Sequence, residues 1–209
     1  MEFLVALFRA LANRSRIRIL RLLAVLGQTN VTQIADAIGV EASRTSAHLK
    51  ILAAVGLIWR RRSGRVVGYY LAEEATHPVT AAVVEVLRQV FRGVTATDPS
   101  VVAHADRQDS DTCSDAALFA CFTAFTHPRR LQIIRHLARK GTVASAALVP
   151  ALSMSPSALH RHLEKLERRG LLSVRAGGVR GACVLKEGRP GPQRLVFAVV
   201  RKHVAEMSG

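Results

Sequence analysis

With 209 residues, 49% hydrophobic and 22% charged, the chain can bury one large core or two of ordinary domain size, and its composition excludes a disordered tail. A net charge of +15 gives it a surface field that attracts polyanions, nucleic acid foremost, although an anionic membrane surface would respond to the same field. Met1 to Ala12 is apolar, but Glu2 opens it, Arg9 interrupts it and no basic leader precedes it, which argues against both a secretion signal and a membrane span.

In chain order, Phe3 to Leu11 is apolar on most faces and predicts a helix covered by a partner. Asn13 and Ser15 are candidate caps for a helix from Arg16 to about Leu26, in which Ile17, Leu20 and Leu23 recur at helical spacing and Gly27 ends the run. Thr32 is expected to cap a short helix holding Ile34, Ala35 and Ile38, which Gly39 breaks. A second helix starts at Glu41 or Ala42, buries Thr45, Leu49 and Leu52, and stops at Gly56. Two short helices about a tight turn form a helix-turn-helix, whose second helix enters the DNA major groove. Residues 57–62 and 66–71 alternate like strands around Ser63-Gly64-Arg65, a β-hairpin wing with a basic tip. Val79, Val83, Val86 and Val90 mark a closing helix.

The composition then changes. Residues 94–117 hold five aspartates (Asp98, Asp106, Asp109, Asp111 and Asp115) against the single cation Arg107, which reads as a solvated acidic linker kept off DNA by its charge. Beyond it the chain repeats itself. At an offset of 114, residues 8–71 and 122–185 align without a gap and 18 of 64 positions are identical, including His48-Leu49 with His162-Leu163 and Gly56-Leu57 with Gly170-Leu171. Pro128 suits a helix start, residues 176–181 form a second wing without the first one's paired tyrosines, and residues 190–206 supply a second closing helix. The expected fold class is therefore mainly α with small β-hairpin wings, in two winged helix-turn-helix domains at 1–93 and 118–209 joined by the linker 94–117.

"LFRALANRSRIRILRLL", "TQIADAIGVEASRTSAHLKILAAVGLI" and "RRRSGRVVGYYLAEE" together resemble the ArsR-type winged-helix repressors over nearly all of residues 4–92. "FTAFTHPRRLQIIRHLARKG" and "SPSALHRHLEKLERRGLLSV" follow the same pattern more loosely. The resemblance implies a transcriptional regulator, a repressor by family habit, and places Ser46 and His48 where relatives touch phosphates. It also implies symmetric dimers that pair first and last helices. In this chain two domains could pair intramolecularly as a pseudo-dimer, or pair between chains as a homodimer.

Read from the residues, the outward side of the first recognition helix offers Ser43, Arg44, Ser46, His48 and Lys50. Arg44, near the helix start, can reach guanine with two parallel hydrogen bonds. The wing arginines Arg61, Arg62 and Arg65 suit phosphates or the minor groove. In the second half the matching set is Ser157, His160, Arg161 and His162, with Arg175 and Arg180 on the wing. Each could instead be an ordinary solvated side chain, and the two histidines could be local packing. Arg14, Arg18 and Arg21 share a face of the second helix, where they either neutralise phosphates or solvate it.

The family's metal sites use cysteines on the first helix of the helix-turn-helix or Asp/His sets on the closing helix. "TQIADAIG" and "SAALVPALS" contain no cysteine and residues 79–93 contain no histidine, so no metal and no cofactor are expected. The three cysteines do not form a disulfide framework, which suits a reducing cytoplasm. Cys121 and Cys183 fall in apolar elements and read as packing, whereas Cys113 in the polar linker could serve a thiol switch. No nucleophile, paired-carboxylate or phosphate-loop motif supports an enzyme. The expected partner is double-stranded DNA, with no membrane. The competing expectation is an interaction scaffold whose second winged helix no longer reads DNA.

Overall fold

A computed structural model of the chain describes residues 1–64, 66–92, 99–103, 114–175 and 181–207. The first half begins with α1 (Glu2–Leu11) and α2 (Arg14–Leu26), and the Asn13 side chain caps α2 by accepting from the Arg16 N–H. A two-residue strand β1 (Thr29–Asn30) leads into α3 (Val31–Ile38). The cap of α3 is Asn30 and not Thr32. The Asn30 side chain accepts from the Gln33 N–H while the Gln33 side chain accepts from the Asn30 N–H, so two orphan donors are satisfied at once, which Thr32 inside the helix cannot do. Gly39 then adopts a left-handed φ of 65°, a turn that favours glycine, and aims α4 (Ala42–Ala54) across α3.

After α4 come β2 (Ile58–Ser63) and β3 (Val66–Leu71), and β1 adds to them as a three-stranded sheet in the order β1-β3-β2. α5 (Pro78–Phe91) closes the unit, capped by the His77 imidazole with proline in its first turn. The second half repeats the sequence of elements: α7 (Asp115–Thr123, after the intervening α6 at Pro99–Ala103), α8 (Pro128–Lys140), β4 (Val143–Ala144), α9 (Ser145–Ala151), α10 (Pro156–Arg168), β5 (Leu172–Arg175), β6 (Ala182–Leu185) and α11 (Pro192–Glu206). Its sheet has the equivalent order, β4-β6-β5.

The segment expected to be a solvated linker is in part structural. α6 packs against α2 and α3 with Val102 and Ala103 fully buried, because those two apolar residues complete the core of the first half. Asp115, counted among the linker's solvated acids, is 2% exposed. Its carboxylate accepts from Arg18 and from Arg21, both at 2.7 Å, and Arg21 is itself 2% exposed and lies over the Phe91 ring at 5.3 Å. The expectation that Arg18 and Arg21 solvate a helix face or meet phosphates is thus corrected: they bind the start of α7, and only Arg14 of the three stands exposed.

The two halves share one hydrophobic core. α1 packs on its own equivalent α7, and α5 packs on its own equivalent α11. Phe8 and its equivalent Phe122 approach with ring centroids 6.2 Å apart, and Phe125 lies 4.8 Å from Phe8. Contact between equivalent residues is the mark of a self-complementary, twofold-like interface, here built within one chain.

Candidate nucleic-acid interface

Thr45, Leu49 and Leu52 turn one side of α4 into the core, and the Thr45 hydroxyl donates to the Val40 carbonyl at 3.3 Å, fixing the helix start to the turn before it. The periodicity of α4 therefore carries Ser43, Arg44 and Lys50 outward, where they are exposed, and leaves Ser46 and His48 half-buried on the flanks. Ser43 is less free than its exposure suggests. Its hydroxyl and its N–H both donate to the Glu41 carboxylate, which also caps the Arg44 N–H. Those bonds from Ser43 hold the Glu41 carboxyl below its usual range, so an anion sits at the tip of the face.

His48 is half-buried, within electrostatic reach of Arg16 on α2. Its Nδ1 is buried and has no hydrogen-bond partner among the described residues, so any phosphate contact would run through Nε2. Burial first, then Arg16 and Arg44, push its pKa down and keep the ring neutral near pH 7.

On α10, Leu159, Leu163 and Leu166 face the core, and Ser157, His160 and Arg161 face outward. Ser155 caps this helix from outside by accepting from the Ala158 N–H at 3.3 Å. His162, the equivalent of His48, meets the ring of His127 at 4.6 Å. Burial is the largest cause lowering both imidazoles, and the cations Arg129 and Arg130 add to it in each. The first half has no such pair, because Asn13 stands where the second has His127.

Two arginines were not recognised from the sequence as structural parts of this region. Arg16 donates to the carbonyls of Ala10 and Arg9, and its equivalent Arg130 donates to the carbonyls of Ala124 at 2.6 Å and Thr123 at 2.7 Å. Each guanidinium satisfies the last carbonyls of one helix from the start of the next, setting the angle between them. Identity of these residues at the 114 offset was the available signal.

In the first wing, β2 exposes Arg60, Arg61 and Arg62, and the Arg62 Nε donates to the Gly64 carbonyl at the tip at 3.0 Å. Trp59, 50% exposed and directly across from Tyr70, adds an aromatic surface that the charge-based reading passed over. Arg175 stands exposed at the end of β5. Arg65, Arg180 and the proposed thiol Cys113 lie outside the described residues. Cys121 and Cys183 are both buried. Among the described residues there is no group of three or more His, Cys, Asp or Glu placed to hold a metal ion, and no helix long and apolar enough to cross a membrane.

Residues 13–59, from the cap of α2 into β2, match the family model described as bacterial regulatory protein, arsR family. Residues 125–175, from the end of α7's turn through β5, match a helix-turn-helix domain model. No curated protein sequence matches the chain. The two matched stretches enclose α4 and α10, so the chain carries two helix-turn-helix domains in tandem.

Proposed function

We propose that this tandem helix-turn-helix protein, whose residues 13–59 match the bacterial ArsR regulatory family model, is a repressor that binds double-stranded DNA as a single chain, each half reading one half-site. One observation carries the reading: two equivalent helices, α4 and α10, are held on one shared core and present different outward residues. In this reading Arg44 of α4 and Arg161 of α10 read base edges. Lys50, Ser46, Ser157, His48, His160 and His162 meet phosphates, as do the wing residues Arg61, Arg62, Arg65, Arg175 and Arg180. Ser43 serves the helix cap more than the DNA. Because the two helices differ, the operator is asymmetric.

Selection of bound duplexes from random sequence, followed by footprinting and a salt titration, tests this. The expected result is one non-palindromic site spanning two half-sites, with a steep fall of affinity with salt. A footprint of one half-site alone would favour a second winged helix serving only as a scaffold. Binding without sequence preference would overturn the regulator reading. Transcription in vitro from a promoter carrying the selected site checks the repressor assignment, since a repressor lowers the transcript and an activator raises it.

A further inference from the structure

The sequence register between the halves continues into the closing helices, because Pro78 of α5 and Pro192 of α11 stand 114 apart and both open their helix. In the first half, Phe3 of α1 stacks on His77 at 4.1 Å and fills the space between α1 and the start of α5. The equivalents of Phe3 and His77 are Ala117 and Gly191. Where the first half has a stacked pair, the second has a cavity of about 430 Å³, floored by Ala117, Ala120 and Cys121 of α7 and walled by Pro192 and Gln193. That volume lies within the range of small-molecule sites.

Two further exchanges change its chemistry. Val55 and Ala75 of the first half correspond to Arg169 and Arg189, and both arginines line the cavity. The Arg169 guanidinium donates to the Thr123 hydroxyl at 3.1 Å, and the Arg189 guanidinium donates to the Arg168 carbonyl at 3.1 Å. A guanidinium has five N–H donors, so each keeps donors to spare. Among the described residues no carboxylate lines the cavity and neither arginine forms an ion pair. Burial, and then the neighbouring Arg168, lower the pKa of Arg169, so an anion beside it would relieve an existing cost. Burial pushes the Cys121 thiol up to about 12, which leaves it neutral and part of the apolar floor.

The geometry points to a binding site for a small organic monoanion in this cavity, its carboxylate between Arg169 and Arg189 and its apolar body on Ala117, Ala120 and Cys121. Guanidiniums suit carboxylates because they offer paired parallel donors. The site also touches the parts that matter for control. Arg169 is the C-cap that follows α10, and the Gln193 side chain donates to its carbonyl at 2.6 Å, linking α10 to the start of α11, which packs on α5. An occupant therefore bears on the second DNA-reading helix and on the interface between halves. This coupling rests on the proposed DNA-binding function, whereas the binding itself does not.

Isothermal titration calorimetry of the full chain without DNA tests the site, with benzoate and hexanoate as carboxylate probes, benzamide as the neutral counterpart and inorganic phosphate as a bare anion. Saturable binding of benzoate or hexanoate with none of benzamide is expected. Arg189→Gln, at an exposed position, should weaken it by about tenfold or more, and Ala117→Phe should abolish it by refilling the space Phe3 fills in the first half. No heat with either carboxylate, equal binding of benzamide, binding of phosphate alone, or parent-like binding by Arg189→Gln would each overturn the proposal. Should Ala117→Phe misfold, the Arg189→Gln result and the benzamide comparison still decide. Saturating benzoate should also shift the dissociation constant of the selected DNA site, and an unchanged constant would remove the coupling while leaving the site. Failure to bind any DNA would sink the regulator reading and leave the calorimetry standing.

Discussion

Arg44 and Arg161 are not equivalents of each other: at the 114 offset, Arg44 aligns with Ala158 and Arg161 with Ala47. The two arginines thus project one turn apart on their respective helices, and each should define a different half-site. Arg44→Ala and Arg161→Ala should each cost about 1–3 kcal/mol of DNA affinity if they read a base, and each should relax preference in its own half-site only. Fluorescence anisotropy at several salt concentrations, with circular dichroism as the control for folding, measures this; parent-like binding would take that helix face out of the interface. The histidines make a separate expectation. His48, His127, His162 and His203 all have pKa values lowered below the ordinary imidazole value, with burial the largest cause in each. The unfolded chain then binds more protons than the folded one as pH falls through about 6.5, so stability is full above that pH and is lost progressively toward the lowered folded values. Thermal melts between pH 8 and pH 5.5 should show the midpoint falling on the acid side. His203→Gln should flatten that slope, since burial first and then the neighbouring His77, at 5.5 Å, disfavour the protonated His203 ring in the folded chain. A midpoint that rises on acidification would contradict the assignment.

The elements themselves were largely legible, because their signals are local. Apolar spacing gave α2, α4 and α5, Gly39 gave the turn, and Pro128 gave the start of α8. Local signals failed where two candidates competed or where tertiary contact decided. Thr32 and Asn30 are both good capping residues, and only the reciprocal bond to Gln33 selects Asn30. α6 has five residues in an acidic stretch, too short to show a period, and exists because Val102 and Ala103 meet α2 and α3. The cap makes a discriminating test. Asn30→Ala should destabilise the protein by about 0.5–2 kcal/mol, whereas Thr32→Ala, at an exposed position, should stay within about 0.5 kcal/mol. Urea denaturation of both variants compares them, and the reverse order would return the cap to Thr32.

At the scale of the whole molecule, the repeat announced two domains, and the apolar run of α1 announced that something must cover it. What covers it was not legible, since an aliphatic face carries no address. The address is ionic: Asp115 reaches back to Arg18 and Arg21 of the other half, and its equivalent position in the first half is Met1, so the pairing is lopsided although the helices around it are twofold-like. Arg21 could not be told from a surface arginine because its partner lies 94 residues away in a stretch that reads as solvated. Removing the acid leaves Arg21 buried without its countercharge, which in comparable buried pairs costs about 3–5 kcal/mol. Asp115→Ala should therefore lower the denaturation midpoint of both halves together, because they share one core. The parent chain should scatter light as a single chain at low micromolar concentration, since α1 and α5 already have α7 and α11 against them. If the mass were that of two chains and Asp115→Ala left both mass and stability unchanged, the halves would be pairing across chains instead. A single-chain mass with a marked loss of stability in Asp115→Ala is the result that the buried Arg21–Asp115 contact demands.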